Sequence, residues 1–220
     1  MTTEAFIDNN IPELRLGQEP VEALSVMREQ NSRNLAVLDN ESDAFMGVIT
    51  EKDLLECLAN GEHINAQWGM AQVAANKKMH LFDAIRLAHD HKFSLLPVID
   101  DANLYLGTVK VTDLLDALSE SMHLFQEGSV ITITMPTNSI ILSDIIHACE
   151  KENVKVLGTS ITPGEDEETS ILSIKTNSLQ TNHLAASLKG LGYIITATSD
   201  GTFETDMRHR ADELMHYLSM

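Results

Sequence analysis

One stretch of this chain is written twice, and that repetition restricts the fold more than any other feature. At an offset of 61 residues, Ala23 matches Ala84, Leu24 matches Ile85, Val26 matches Leu87, Val37 matches Val98 and Asp39 matches Asp100. The offset then drops to 60, pairing Gly47 with Gly107, Ile49 with Val109, Asp53 with Asp113, Leu54 with Leu114, Leu55 with Leu115 and Leu58 with Leu118. One residue is therefore missing between the two strands of the second copy. Each copy reads as helix, strand, turn, strand, helix. Pro20 stands at a permitted helix start, Leu35 to Leu38 form a short apolar run, and Asp39-Asn40 and Asp100-Asp101 mark turns. Gly47-Val48-Ile49 opens the second strand, and Leu54, Leu55 and Leu58 are expected to form the apolar face of the closing helix.

A different pattern begins near Gly128. Val130 to Met135 alternates threonine with large apolar residues, as a half-buried strand does, and Leu142, Ile145, Ile146 and Cys149 follow at helical spacing. Val154 to Ile161 and Ser170 to Lys175 read as strands around the polar turn 163–167; Leu184, Leu188 and Leu191 stripe a helix, and Tyr193 to Ala197 forms a last strand. The order βαββαβ is the ferredoxin-like arrangement. Met207, Ala211, Leu214 and Leu218 predict a C-terminal helix with one apolar seam. The expected division is repeat 1 over 1–62, repeat 2 over 63–122, a third domain over 128–200 and the helix over 205–220, in an α/β (α+β) protein.

Charge narrows the partners. A formal net charge of −18, from 33 acidic against 15 basic residues, repels nucleic acid and anionic membranes, so neither is expected as a partner. No run approaches a membrane span, and the start, Met-Thr-Thr-Glu-Ala-Phe, has no basic and apolar leader, so a cytoplasmic protein is expected. Cys57 and Cys149 fall at apolar helix positions, where a disulfide framework is not expected, and the nine histidines are scattered, which gives no metal-ligand cluster. No nucleophile-plus-base set, Walker loop or dinucleotide fingerprint is present, so the expectation is a protein that is not an enzyme and requires no cofactor.

Thr50 leaves a strand and starts a helix, where its hydroxyl and the free backbone N–H groups can hold a phosphate or cap the helix. Asp53, one turn on, can accept two hydrogen bonds from a cis-diol such as ribose. The same pair is also a plain capping box, in which the two side chains only satisfy the helix start. Arg33, just before the Leu35-to-Leu38 strand, is a candidate phosphate contact or a solvated surface arginine.

Gly47-Val48-Ile49-Thr50-Glu51-Lys52-Asp53-Leu54 resembles the Gly-x-x-Thr-x-x-Asp motif that closes a CBS domain, and Gly107-Thr108-Val109-Lys110-Val111-Thr112-Asp113-Leu114 resembles a second copy, with Pro-Val-Ile-Asp at 97–100. The resemblance, over residues 10 to 120, implies a CBS pair (a Bateman module) holding an adenosine-containing small molecule of the AMP, ATP or S-adenosyl-methionine class. It implies ribose-binding roles for Asp53 and Asp113. The copies depart from the pattern in different ways: Lys110 stands where threonine is expected and Ser94 where Arg33 stands, while Ala36 replaces the proline kept at Pro97. Lys110 is expected to fold into the second cleft or pair with Asp113, leaving one high-affinity site per chain.

Residues 128 to 200 resemble an ACT domain, and a CBS pair followed by ACT is the layout of bacterial acetoin-utilisation-type CBS proteins. Amino-acid-sensing ACT domains place a glycine in the first strand-to-helix loop, whereas 135–139 contains none. A dimerisation or coupling role is therefore expected ahead of amino-acid sensing. The resulting expectation is a regulatory homodimer that responds to a nucleotide and acts on another protein, with a ligand-free assembly adaptor as the alternative.

Overall fold

The structure, a computed structural model, describes residues 1–65, 70–139 and 141–199. Its contacts divide the chain into two units, Met1–Leu118 and Ser119–Met220.

In the first unit, strand β1 (Leu14–Arg15), helix α1 (Pro20–Glu29), strands β2 (Asn34–Leu38) and β3 (Phe45–Thr50) and helix α2 (Glu51–Asn60) make one repeat. Strand β4 (Ala75–Asn76), helix α3 (Leu81–His91), strands β5 (Leu95–Ile99) and β6 (Tyr105–Lys110) and helix α4 (Val111–Ser121) make the other. Each repeat builds the same three-stranded sheet, a short parallel strand beside an antiparallel hairpin. The register carries the repeat: Leu14 lies opposite Val37 as Ala75 lies opposite Val98, and Gly47 and Gly107 face those same valines across the hairpins. Strands β1 and β4 are new to the sequence reading, because two residues are too few to show alternation.

Helix α1 starts at Pro20 and buries Ala23, Leu24 and Met27; α3 buries Leu81, Ala84 and Ala88. Helix α2 corrects the expected apolar face. It buries Leu54 and Cys57, while Leu55 is 54% exposed and Leu58 38%. The stripe that meets the sheet runs 54-57, and Leu55 lies about 100° further round the helix, on its outer side.

The two repeats do not keep separate cores. Leu95 of β5 packs among Leu14, Leu24, Leu35 and Ile49 of the first repeat, and Ala36, Leu38, Phe45 and Val48 pack with Leu81, Leu96 and Val109 of the second. The segments that lead into the repeats also cross over. Asp8 pairs with Thr108 of β6, its N–H donating to the Thr108 carbonyl at 2.8 Å, and Ala71 pairs with Val48 of β3. These crossings explain the two glycines. Gly47 and Gly107 hold φ of 149° and 137°, and a Cβ would lie 2.7 Å from Met70 Cβ at Gly47 and 2.5 Å from Ile7 Cγ2 at Gly107.

In the second unit, strand β7 (Val130–Pro136), helix α5 (Leu142–Lys151), strands β8 (Val156–Pro163) and β9 (Thr169–Thr176), helix α6 (Asn182–Gly190) and strand β10 (Ile194–Ser199) follow the expected βαββαβ order. The sheet is antiparallel in the order β10-β7-β9-β8. Alternation along β7 sends Ile131, Ile133 and Met135 to a core with Leu172 and Ile174 of β9, Ile145 and Cys149 of α5, and Leu184 and Leu188 of α6. Leu191, placed on the α6 stripe by its spacing, lies beyond the helix and is exposed. The expected helix over 205–220 lies outside the described residues. Among the described residues, no helix is long and apolar enough to cross a membrane.

Candidate ligand clefts in the repeat pair

The start of α2 is held by a complete capping box. Thr50 N–H and Oγ1 both donate to Asp53 Oδ2, at 2.8 and 2.6 Å, and Asp53 N–H donates back to Thr50 Oγ1 at 3.3 Å. Asp53 Oδ1 accepts no hydrogen bond among the described residues, and both side chains are half-buried. Glu51 N–H donates to the Arg33 carbonyl at 3.0 Å, and Asn34 lies opposite Thr50 in the sheet. Sequence-distant Arg33, Thr50 and Asp53 thus meet at one helix start. The Arg33 side chain is exposed, with no ion pair or hydrogen bond to its guanidinium among the described residues. Ala36 lies two rungs along, opposite Val48, and is buried in the shared core beneath the cleft.

The second repeat copies the backbone and changes the side chains. Val111 N–H donates to the Ser94 carbonyl at 3.0 Å, the counterpart of the Glu51-to-Arg33 bond, which brings Ser94 to the start of α4 beside Lys110 and Asp113. Pro97, opposite Thr108, is buried as Ala36 is. Lys110 has no hydroxyl to reproduce the box. The expected pairing of Lys110 with Asp113 is replaced by another: Lys110 Nζ lies 3.2 Å from Asp8 Oδ2. The lysine points along the strand to the crossing N-terminal segment, where an anion already fixed by its backbone offers a better partner than a flexible contact along its own helix. Two bonds from Asn10, backbone N–H and Nδ2, reach Asp8 Oδ1 at 2.9 Å each. The Asn10 backbone N–H, and after it Lys110, hold the Asp8 carboxyl below the usual carboxylate range.

Three features of these clefts escaped the sequence reading. Asp8 was silent because its partner is far away in the chain. Asn34 is buried and ties the repeats together: its Nδ2 donates to the Leu95 carbonyl at 2.6 Å, and its Oδ1 accepts from Ser94 N–H, Ser94 Oγ and Leu95 N–H at 2.9, 3.2 and 3.2 Å. Arg33 N–H in turn donates to Ser94 Oγ at 3.1 Å, so the two cleft openings share one hydrogen-bond network. The third is a polar cavity of about 290 Å³ lined by Asn9, Glu13, Arg15, Asp43 and Tyr105 with Gly107. Arg15 is held there by Asp43 and by the carbonyls of Asp39 and Ser42. Burial pushes the Tyr105 hydroxyl up to about 12, and it bonds Thr108 Oγ1 at 2.8 Å.

The doubled sheet, the doubled glycine and the doubled helix start coincide with a family match: the model of the CBS domain matches residues 8–60 and again 72–120. These residues are a tandem pair of CBS domains. Among curated proteins, the CBS pair region is similar to an uncharacterised protein of Methanopyrus kandleri, 29% identical over 120 residues that cover 49% of this chain and 61% of that protein. It is also similar to the inosine-5'-monophosphate dehydrogenase of Methanocaldococcus jannaschii, 28% identical over 94 residues, which are 43% of this chain and 19% of the enzyme. The chain thus spans about three-fifths of the first protein and about a fifth of the second. A crystal structure of a CBS domain pair/ACT domain protein from Thermotoga maritima has 25% identity and a TM-score of 0.49, covering 55% of this chain and 98% of that one. CBSX2 of Arabidopsis thaliana, in complex with AMP, has 21% identity and a TM-score of 0.46, covering 54% of this chain and 96% of that one.

Proposed function

We propose that the CBS pair is the sensor of a non-catalytic regulatory protein and binds one adenosine-containing nucleotide of the AMP, ATP or S-adenosyl-methionine class in its first cleft. The observation that carries this reading is the helix start of α2, where the unengaged Asp53 Oδ1 stands beside Thr50 with the Arg33 backbone against it. In this reading Asp53 Oδ1 accepts from a ribose hydroxyl, a phosphate takes the Thr50 hydroxyl from Asp53 Oδ2 and accepts the Lys52 N–H, Arg33 closes over it from solvent, and Ala36 forms the floor. Asp113, Lys110 and Pro97 make the second, altered cleft. Ligand affinity that differs between arrangements of the pair supplies the energy for regulation.

The βαββαβ unit is read as ACT-like, supported by its element order and its β10-β7-β9-β8 sheet, and its role as dimerisation or coupling rather than amino-acid sensing. The combination follows the layout of acetoin-utilisation-type CBS proteins. The protein acts in the cytoplasm as a homodimer on a partner protein. A ligand-free assembly adaptor is the second reading, and one observation favours it: Asp53 Oδ2 is already fully used in the capping box.

Melting of the full chain with AMP, ATP and S-adenosyl-methionine separates the two. A bound ligand stabilises the native state by about 2.7 kcal/mol at a hundredfold excess over Kd, and Asp53→Ala abolishes the shift. No shift with any of the three leaves the adaptor.

A further inference from the structure

The two clefts differ by a matched pair of charges. In the first, the crossing segment presents Ala71 to β3 and the helix start carries Thr50; in the second, the crossing segment presents Asp8 to β6 and the helix start carries Lys110. Cation and anion arrive together, from places far apart in the chain, and meet at 3.2 Å. Asp8 is fixed before Lys110 reaches it: its N–H is spent on Thr108, its Oδ1 on Asn10, and Ile7 and Asn9 lie against Gly107 on either side. The pair is not sealed, since the Lys110 side chain is 41% exposed and that of Asp8 25%.

A lysine at the helix start is a point charge suited to a phosphate. Here that charge is already answered by a carboxylate of the same chain. We infer that Asp8 is the residue that decides what the second cleft accepts: it occupies Lys110 as an internal stand-in for an anionic ligand, and a phosphate enters only by taking Lys110 from it and loosening the N-terminal segment from β6. The inference rests on the nucleotide reading of the first cleft only for the identity of the ligand, since the exchange of anions at Lys110 has its own readout.

The test uses the full chain. Asp8→Asn removes the charge and keeps Oδ1 as acceptor for Asn10. Calorimetry with AMP is expected to give one tight site and a second, weak one in the wild type, the weak one strengthened about fivefold in Asp8→Asn, the reach of a partly exposed ion pair. Adding Lys110→Met to Asp8→Asn removes the gain. Hydrogen exchange of residues 2–9 reads the segment directly: inorganic phosphate speeds it severalfold in the wild type and leaves it unchanged in Lys110→Met. If AMP binds neither protein while phosphate still loosens the segment, the nucleotide reading falls and the role of Asp8 stands. Two equal AMP sites in the wild type, or a segment that phosphate and AMP both leave untouched, overturns it.

Discussion

Asn34 and Leu95 occupy equivalent positions in the two CBS repeats and are bonded to each other, the Asn34 Nδ2 donating to the Leu95 carbonyl at 2.6 Å and its Oδ1 accepting the Leu95 N–H at 3.2 Å. Near-identical repeats that meet about a local two-fold would place the same residue on both sides of the axis. This chain places an amide on one side and an apolar side chain on the other, so the Asn34 side chain serves the buried backbone at the start of β5. Leu95 meanwhile completes the core of the opposite repeat.

Replacing Asn34 by the residue its counterpart carries therefore removes the joint. In Asn34→Leu, the backbone groups of Ser94 and Leu95 lose their partners in a buried place, at about 1–3 kcal/mol each where water does not reach them. The urea midpoint of the first unit is expected to fall by the equivalent of about 3 kcal/mol, with Ser94→Ala costing about 1 kcal/mol.

Ser32 makes the opposite case. Its hydroxyl is buried without a hydrogen-bond partner among the described residues, and the equivalent position of the second repeat is the buried Phe93. Removing an unsatisfied hydroxyl relieves its desolvation cost, so Ser32→Ala is expected to be neutral or to stabilise by up to about 1 kcal/mol in thermal melting. A loss above that range would mean that the hydroxyl is bonded.

Tyr105 sets an alkaline limit. Its hydroxyl is raised from 10.0 to about 12, chiefly by burial, so the folded chain keeps a proton that the unfolded chain releases. The contribution is complete below pH 10 and is lost as pH rises from there towards 12. Chemical denaturation at pH 8 to 11.5 should show the wild type losing stability more steeply than Tyr105→Phe, which starts lower for want of the Thr108 bond.

The outer sides of the helices carry Val21, Leu55 and Leu58 on one repeat and Phe82 and Leu115 on the other, all exposed. A homodimer covers such a surface. Light scattering is expected to give a dimeric mass for the wild type and a monomeric one for the double variant Leu55→Asp/Phe82→Asp, with its melting temperature measured alongside to establish folding. A monomeric wild type at micromolar concentration would remove the dimer.

The repeat was readable because each element carries its own local signal: an apolar run for Leu35–Leu38, a glycine within each second strand, Thr50 three residues ahead of Asp53. The 61-residue offset also matched Arg33 with Ser94, but their meeting with the two helix starts comes from the pairing of Asn34 with Thr50 and of Leu95 with Lys110. What could not be read were the meetings between repeats. Nothing near Asp8 announces Lys110, and Asn34 looks like any polar residue at a strand start until Leu95 is laid against it. The outward turn of Leu55 was hidden for a related reason, because a leucine at helical spacing marks a core only where another layer lies over it.

The crossing of the leading segments bears on how the protein is made. Asp8 is translated a hundred residues ahead of its strand partner Thr108, an interval on the order of 5–20 s at ordinary elongation rates. Until then the segment around Asp8 has no β6 to join, and Ala36, Leu38 and Phe45 have no second repeat to pack against. The first CBS domain is thus exposed longest to chaperones and proteases, and mutations that slow completion of β6 should lower cellular yield before they alter the finished fold.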